Sequence, residues 1–99
     1  MNSDIKAIVD QFPSLRLHVN KGERHRIMRS GITRGSLWIA PRVRGYNVIP
    51  TGEAEILLYH FLRSIRVEDG VDYKQRWKYW NIPELGDVAR IIQRFAESS

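Results

Sequence analysis

Leu15, Leu17 and Val19 alternate with Arg16, His18 and Asn20, the period-2 pattern of a strand with one apolar and one wet face. Lys21-Gly22 breaks the run and Glu23 to Arg29 can return beside it, which commits the chain to an antiparallel hairpin. Its register follows from keeping the faces unmixed. A two-residue loop sets Arg26 opposite Leu17 and Arg24 opposite Val19. A three-residue loop, Lys21 to Glu23, sets Ile27 opposite Leu17 and His25 opposite Val19. A one-residue slip exchanges every side chain between the faces, so the second register is expected. Glycine then sits in the middle of the loop rather than at its usual last position. Arg16, His18, Arg24 and Arg26 gather on the wet face, and His18 and His25 point to opposite sides.

The rest of the chain supplies partners for that hairpin. Ile5, Ile8, Val9 and Phe12 form one apolar helical face behind Ser3 as N-cap, and Pro13 ends the helix. Leu37 to Ala40 and Tyr46 to Ile49 read as strands joined through Pro41 to Gly45, with Arg42 and Arg44 at the tip. Trp38 points opposite Leu37 and Ile39, where it covers a helix or meets a partner. Thr51 is a suitable N-cap for a helix to about Arg66, with Ala54, Leu57, Leu58, Phe61, Leu62 and Ile65 as its buried stripe. Glu53 and Glu55 near its start and Arg63 and Arg66 near its end match the helix dipole. After a turn at Glu68-Asp69-Gly70, Val71 to Trp80 alternates. Val71, Tyr73, Trp77 and Tyr79 are expected in the core, with Lys74, Arg76, Lys78 and Trp80 on a basic side. Asn81 caps or Pro83 opens a last helix with Leu85, Val88, Ile91, Ile92 and Phe95 on its face. The order α-β-β-β-β-α-β-α lacks regular βαβ alternation. It predicts an α+β fold, one small domain over 1–99, with a mainly antiparallel sheet of about 4–5 strands and helices packed on one face.

Charge is concentrated in one segment. The chain carries 16 basic residues, twelve of them Arg, against 11 acids, for a net charge of +5. Between Arg16 and Arg44 lie eight basic residues and a single acid, Glu23, while the other 70 residues are net negative. A one-signed block of this kind makes a field that attracts anions, and arginine suits bidentate recognition of phosphate or carboxylate.

Other classes find little support. With no cysteine among 99 residues there is no disulfide framework, thiolate metal site or cysteine nucleophile. His18, His25 and His60 include no i, i+4 helical pair, and no metal or other cofactor is expected. The longest apolar stretch, Ile56 to Tyr59, is far short of a membrane span, and the N-terminal residues show no secretory signal. A cytoplasmic protein without a membrane partner is expected. No Gly-rich phosphate loop or G-x-S-x-G is present. Asp72-Tyr73-Lys74 matches the acid-x-Lys tripeptide of metal-dependent nucleases, but a chain of this composition holds about 0.4 such matches by chance. That chemistry also needs a second converging carboxylate. A nuclease is therefore the least unsuited enzyme, and a binding protein rather than an enzyme is expected.

Three strands followed by an amphipathic helix, Glu23 to Arg66, is similar in topology to the plant-type and integrase-arm DNA-binding domains, in which a sheet reads the groove. That resemblance is of element order alone, without matching motif residues, and implies a DNA partner in preference to RNA. A two-stranded ribbon fits the major groove, and clustered arginines gain affinity from released counterions. The expected function is nucleic-acid binding by an Arg-rich β-hairpin surface. Its candidate contacts are Arg16, His18, Arg24, Arg26, Arg29, Arg34, Arg42, Arg44, Lys74, Arg76 and Lys78. The alternative is a small adaptor or inhibitor that enters an acidic cleft on a nucleic-acid-processing enzyme, since Arg and Trp also dominate protein-interface hot spots.

Overall fold

A computed structural model of the chain describes residues 3–65, 68–72 and 77–98, with backbone alone for 3, 68–72, 77 and 78. Helix α1 (Ser3–Val9) leads into the hairpin of β1 (Leu15–Asn20) and β2 (Arg24–Arg29). β3 (Leu37–Pro41) and β4 (Tyr46–Pro50) follow, then α2 (Glu53–Ser64), β5 (Glu68–Asp72), β6 (Trp77–Ile82) and α3 (Leu85–Glu97). The strands form one sheet in the order β1-β2-β3-β4-β6-β5, antiparallel at every junction. The expected α+β class, antiparallel sheet and one-sided helices all hold. The sheet has six strands because Glu68-Asp69-Gly70, expected as a turn, is strand and forms β5 with Val71 and Asp72. Trp77 to Trp80, of the stretch read as one strand, belong to β6. β5 and β6 pair antiparallel, and residues 73–76 lie outside the described residues.

The β1–β2 register is the three-residue one, with Leu17 opposite Ile27 and Val19 opposite His25. Gly22 (φ 79°) and Glu23 (φ 61°) both take left-handed backbone. Glu23 therefore occupies the last loop position, where glycine is more usual. The turn is reinforced from the second strand: Nδ1 of the buried His25 donates to the Glu23 carbonyl at 2.7 Å. A carbonyl only accepts, so Nδ1 carries the proton.

Burial alternates along the strands and assigns their faces. Leu15, His25, Ile27, Leu37, Ile39, Val48, Trp80 and Ile82 are buried on the side that carries the helices. α1 packs on β1, α2 on β4 and α3 on β6, and α3 also contacts both other helices. Ile5, Val9, Leu58, Leu62, Val88, Ile91, Ile92 and Phe95 close this layer. The helix side of β6 is thus Trp80 and Ile82, whereas Tyr79 is half-buried on the other side. This reverses the expected faces of that strand. Trp80 pairs with Val48 across from β4, and its ring meets that of Tyr59 from α2 edge to face at 6.4 Å, so it belongs to the core.

Two expected caps are absent. Gly52 (φ 57°), not Thr51, is the residue before α2, and it offers no side-chain cap. Thr51 Oγ1 instead accepts from the Ser36 N–H at 3.0 Å and donates to the Ser36 carbonyl at 3.2 Å, which ties β4 to the start of β3. Asn81 lies in β6, where its side-chain amide donates to Asn47 Oδ1 at 3.3 Å, and α3 begins after Glu84. Among the described residues no helix is long and apolar enough to cross a membrane.

Candidate functional site

The face of the sheet opposite the helices carries no described helix and collects the basic side chains of the first hairpin. Arg16, His18, Arg24 and Arg26 all lie on it and are exposed. Strand pairing sets His18 opposite Arg26, Arg26 opposite Trp38, and Trp38 opposite Ile49. These four side chains form a row across the sheet. With strands about 4.8 Å apart, the row from His18 to Trp38 spans about 10 Å. Met28, Trp38, Ile49 and Tyr79 are half-buried on the same face and give it an apolar centre beside a basic margin.

Arg26 is held in place within this row. Its Nε donates to Ser36 Oγ at 3.0 Å, and its guanidinium carbon lies 5.5 Å from the centroid of the Trp38 ring. That distance is within cation–π range. The hydroxyl takes the inner nitrogen, and the terminal Nη groups make no hydrogen bond among the described residues. Lys6–Asp10 and Asp87–Arg90 form ion pairs on helix surfaces. The described side chains of β1 to β4 on the helix-free face include no carboxylate.

Other candidate residues fall elsewhere. Arg42 and Arg44 lie in the β3–β4 connection, exposed on either side of the fully exposed Val43. Because β2 starts where β3 ends, this tip is at the same end of the sheet as Lys21 and Arg24. Its base is fixed by the Arg42 N–H bonding the Gly45 carbonyl at 2.9 Å. Arg34 is exposed in the β2–β3 connection, where its carbonyl accepts from the Glu53 N–H. Arg29 is on the helix side: Nη1 donates to the Phe95 carbonyl in the last turn of α3 at 3.1 Å. A cation there satisfies a helix-end carbonyl and complements the dipole, which is a structural role. Lys74 and Arg76 lie outside the described residues, as do Tyr73 and Lys74 of the Asp72-Tyr73-Lys74 tripeptide, and Lys78 is described by its backbone. Among the described residues no three His, Cys, Asp or Glu side chains gather into a metal-binding group.

The arginines were legible from alternation, whereas the apolar centre was not. Met28, Ile49 and Tyr79 sit on different strands, and only the cross-strand register brings them beside Trp38. No protein-family model, curated protein or solved structure matches this chain.

Proposed function

We propose that the chain binds nucleic acid through the helix-free face of its sheet, with the β1–β2 hairpin as the phosphate-contacting margin. The observation that carries this reading is the convergence of the exposed Arg16, His18, Arg24 and Arg26 on one face of the hairpin. Each phosphate neutralised by such a margin releases counterion, so affinity comes from charge without base contacts. Arg26 is pre-oriented, which lowers the entropy lost when it engages a phosphate.

The test is a fluorescence anisotropy titration of labelled oligonucleotides at rising salt. With about four phosphate contacts, affinity falls by roughly 100-fold between about 50 and 200 mM salt. A polyglutamate of matched charge serves as the competitor. Absence of binding to duplex and single strand at the lower salt would falsify the reading.

One observation favours a protein partner instead. Val43 is 102% exposed at the tip between Arg42 and Arg44, an apolar knob flanked by cations that suits a cleft with an acidic rim. A pull-down with and without nuclease separates the two, since a protein partner survives nuclease treatment.

A further inference from the structure

We infer that the ligand of this face is single-stranded nucleic acid, with Trp38 as the surface on which a base stacks; the inference rests on the nucleic-acid reading above. Two features of the structure argue for it. The first is width. Six strands at about 4.8 Å spacing make a sheet about 24 Å across, twice the roughly 12 Å width of the DNA major groove. Trp38 is on the third strand from the β1 edge, with β4, β6 and β5 continuing beyond it. A duplex resting on the basic margin therefore keeps its base edges in its grooves, out of reach of an indole on the third strand of the sheet. A single strand has no such restriction, because its bases can be splayed onto the protein surface.

The second feature is the row His18–Arg26–Trp38–Ile49 itself. It places a π-surface next to phosphate-binding donors at about one strand spacing, the combination that sequence-tolerant single-strand binders use. Arg26, fixed by Ser36 Oγ, lies over the Trp38 ring with its guanidinium carbon 5.5 Å from the centroid. A base stacks on this indole–guanidinium layer while the free Nη groups bond the adjoining phosphate. Arg16, His18 and Arg24 then line the path of the backbone along the hairpin. Met28 and Ile49, half-buried on either side, give the neighbouring bases apolar contact.

The experiment compares an oligothymidylate of about 12 nucleotides with a duplex of the same length, on the wild-type chain and on Trp38→Ala and Trp38→Phe. The single strand is expected to bind at least about 10-fold tighter than the duplex, and Trp38→Ala to lose about 10-fold or more of that affinity. Trp38→Phe keeps a π-face and should retain most of the binding. It should also reduce the quenching of intrinsic fluorescence that the oligonucleotide causes, with Trp77 and Trp80 still present, a readout that does not depend on the alanine variant folding. Duplex binding as tight as single-strand binding overturns the inference and leaves the wider reading standing. So does quenching that is undiminished in Trp38→Phe, or a normally melting Trp38→Ala that binds like wild type. Failure of both nucleic acids to bind overturns the two together.

Discussion

Gly35 and Gly52 pack backbone to backbone: a Cβ on Gly35 would fall 2.9 Å from the Gly52 α-carbon and overlap the Thr51 carbonyl oxygen. Both take left-handed backbone, at φ 110° and 57°. Around them the Glu53 N–H bonds the Arg34 carbonyl and the Thr51 N–H bonds the Ser36 carbonyl, each at 2.9 Å. Ser36 in turn receives Arg26. One glycine contact thus links the start of α2 to the orientation of a side chain on the opposite face of the sheet.

Gly35→Ala is therefore expected to destabilise the fold by about 3 kcal/mol, from positive-φ strain and a clash with backbone that has no flexible end to move. Gly31→Ala is the control. Gly31 also has positive φ (89°), but a Cβ there meets nothing within 4 Å, so about 1 kcal/mol of strain is the whole effect. Denaturant melts of the two variants separate clash from strain. Equal losses would show that the close approach contributes nothing.

The Thr51 hydroxyl should behave as a tie between strands rather than as a cap. Thr51→Val removes one acceptor and one donor at the part-buried Ser36 backbone and is expected to cost about 1–2 kcal/mol. Thr51→Ser keeps both bonds and should recover most of it. Thermal melts read the difference. A capping role would instead make Thr51→Asp as stable as wild type, since Asp is at least as good an N-cap.

The hairpin register was legible because an amphipathic strand with charges on one side has a single pairing that keeps its faces apart, and Leu17 opposite Ile27 satisfied it. The last strand carries aromatics on both sides. Tyr79 and Trp80 are each compatible with burial, so alternation alone could not say which faces α2. The packing of Trp80 against Tyr59 decides it. Thr51 misled for a related reason. A threonine before a helix has the chemistry of a cap, but the strand pairing that brings Ser36 within 3.0 Å of its hydroxyl is a long-range fact. Arg29 shows the same limit. Its place in a basic run suggests a ligand contact, yet its position in the alternation sends it to the helix side, where the Phe95 carbonyl takes it.

The α2 stripe is graded by burial, and its alanine variants should be too. Leu58 is fully buried, so Leu58→Ala should cost about 2–5 kcal/mol through the cavity it leaves. Leu57 is half-buried at the edge of the stripe and should cost about 1 kcal/mol. Phe61 is also half-buried, but the guanidinium carbons of Arg90 and Arg94 lie 5.6 and 5.1 Å from its ring centroid. Phe61→Leu should keep most of the apolar contact while losing those interactions, at about 1 kcal/mol. Urea midpoints for the three variants test the ranking Leu58 above Leu57 and Phe61.

Binding and stability should separate between arginines that share the basic run but not the face. Arg16→Ala with Arg24→Ala removes two exposed side chains for which no internal partner exists among the described residues. Stability should stay within about 0.5 kcal/mol of wild type, while oligonucleotide affinity falls and the slope of log K against log salt shrinks by about 2. Arg29→Ala should do the reverse. It deletes the donor to the Phe95 carbonyl at the end of α3, costs about 1 kcal/mol, and leaves the salt slope unchanged. Arg26→Ala lies between them, because the same side chain bonds Ser36, lies against Trp38 and presents its Nη groups to solvent. It should lower the melting temperature modestly and weaken binding more than either single hairpin variant. Salt titrations beside thermal melts on these variants test the division. Should Arg29→Ala weaken binding as strongly as the Arg16/Arg24 pair while both melt normally, the contacting surface is not the helix-free face.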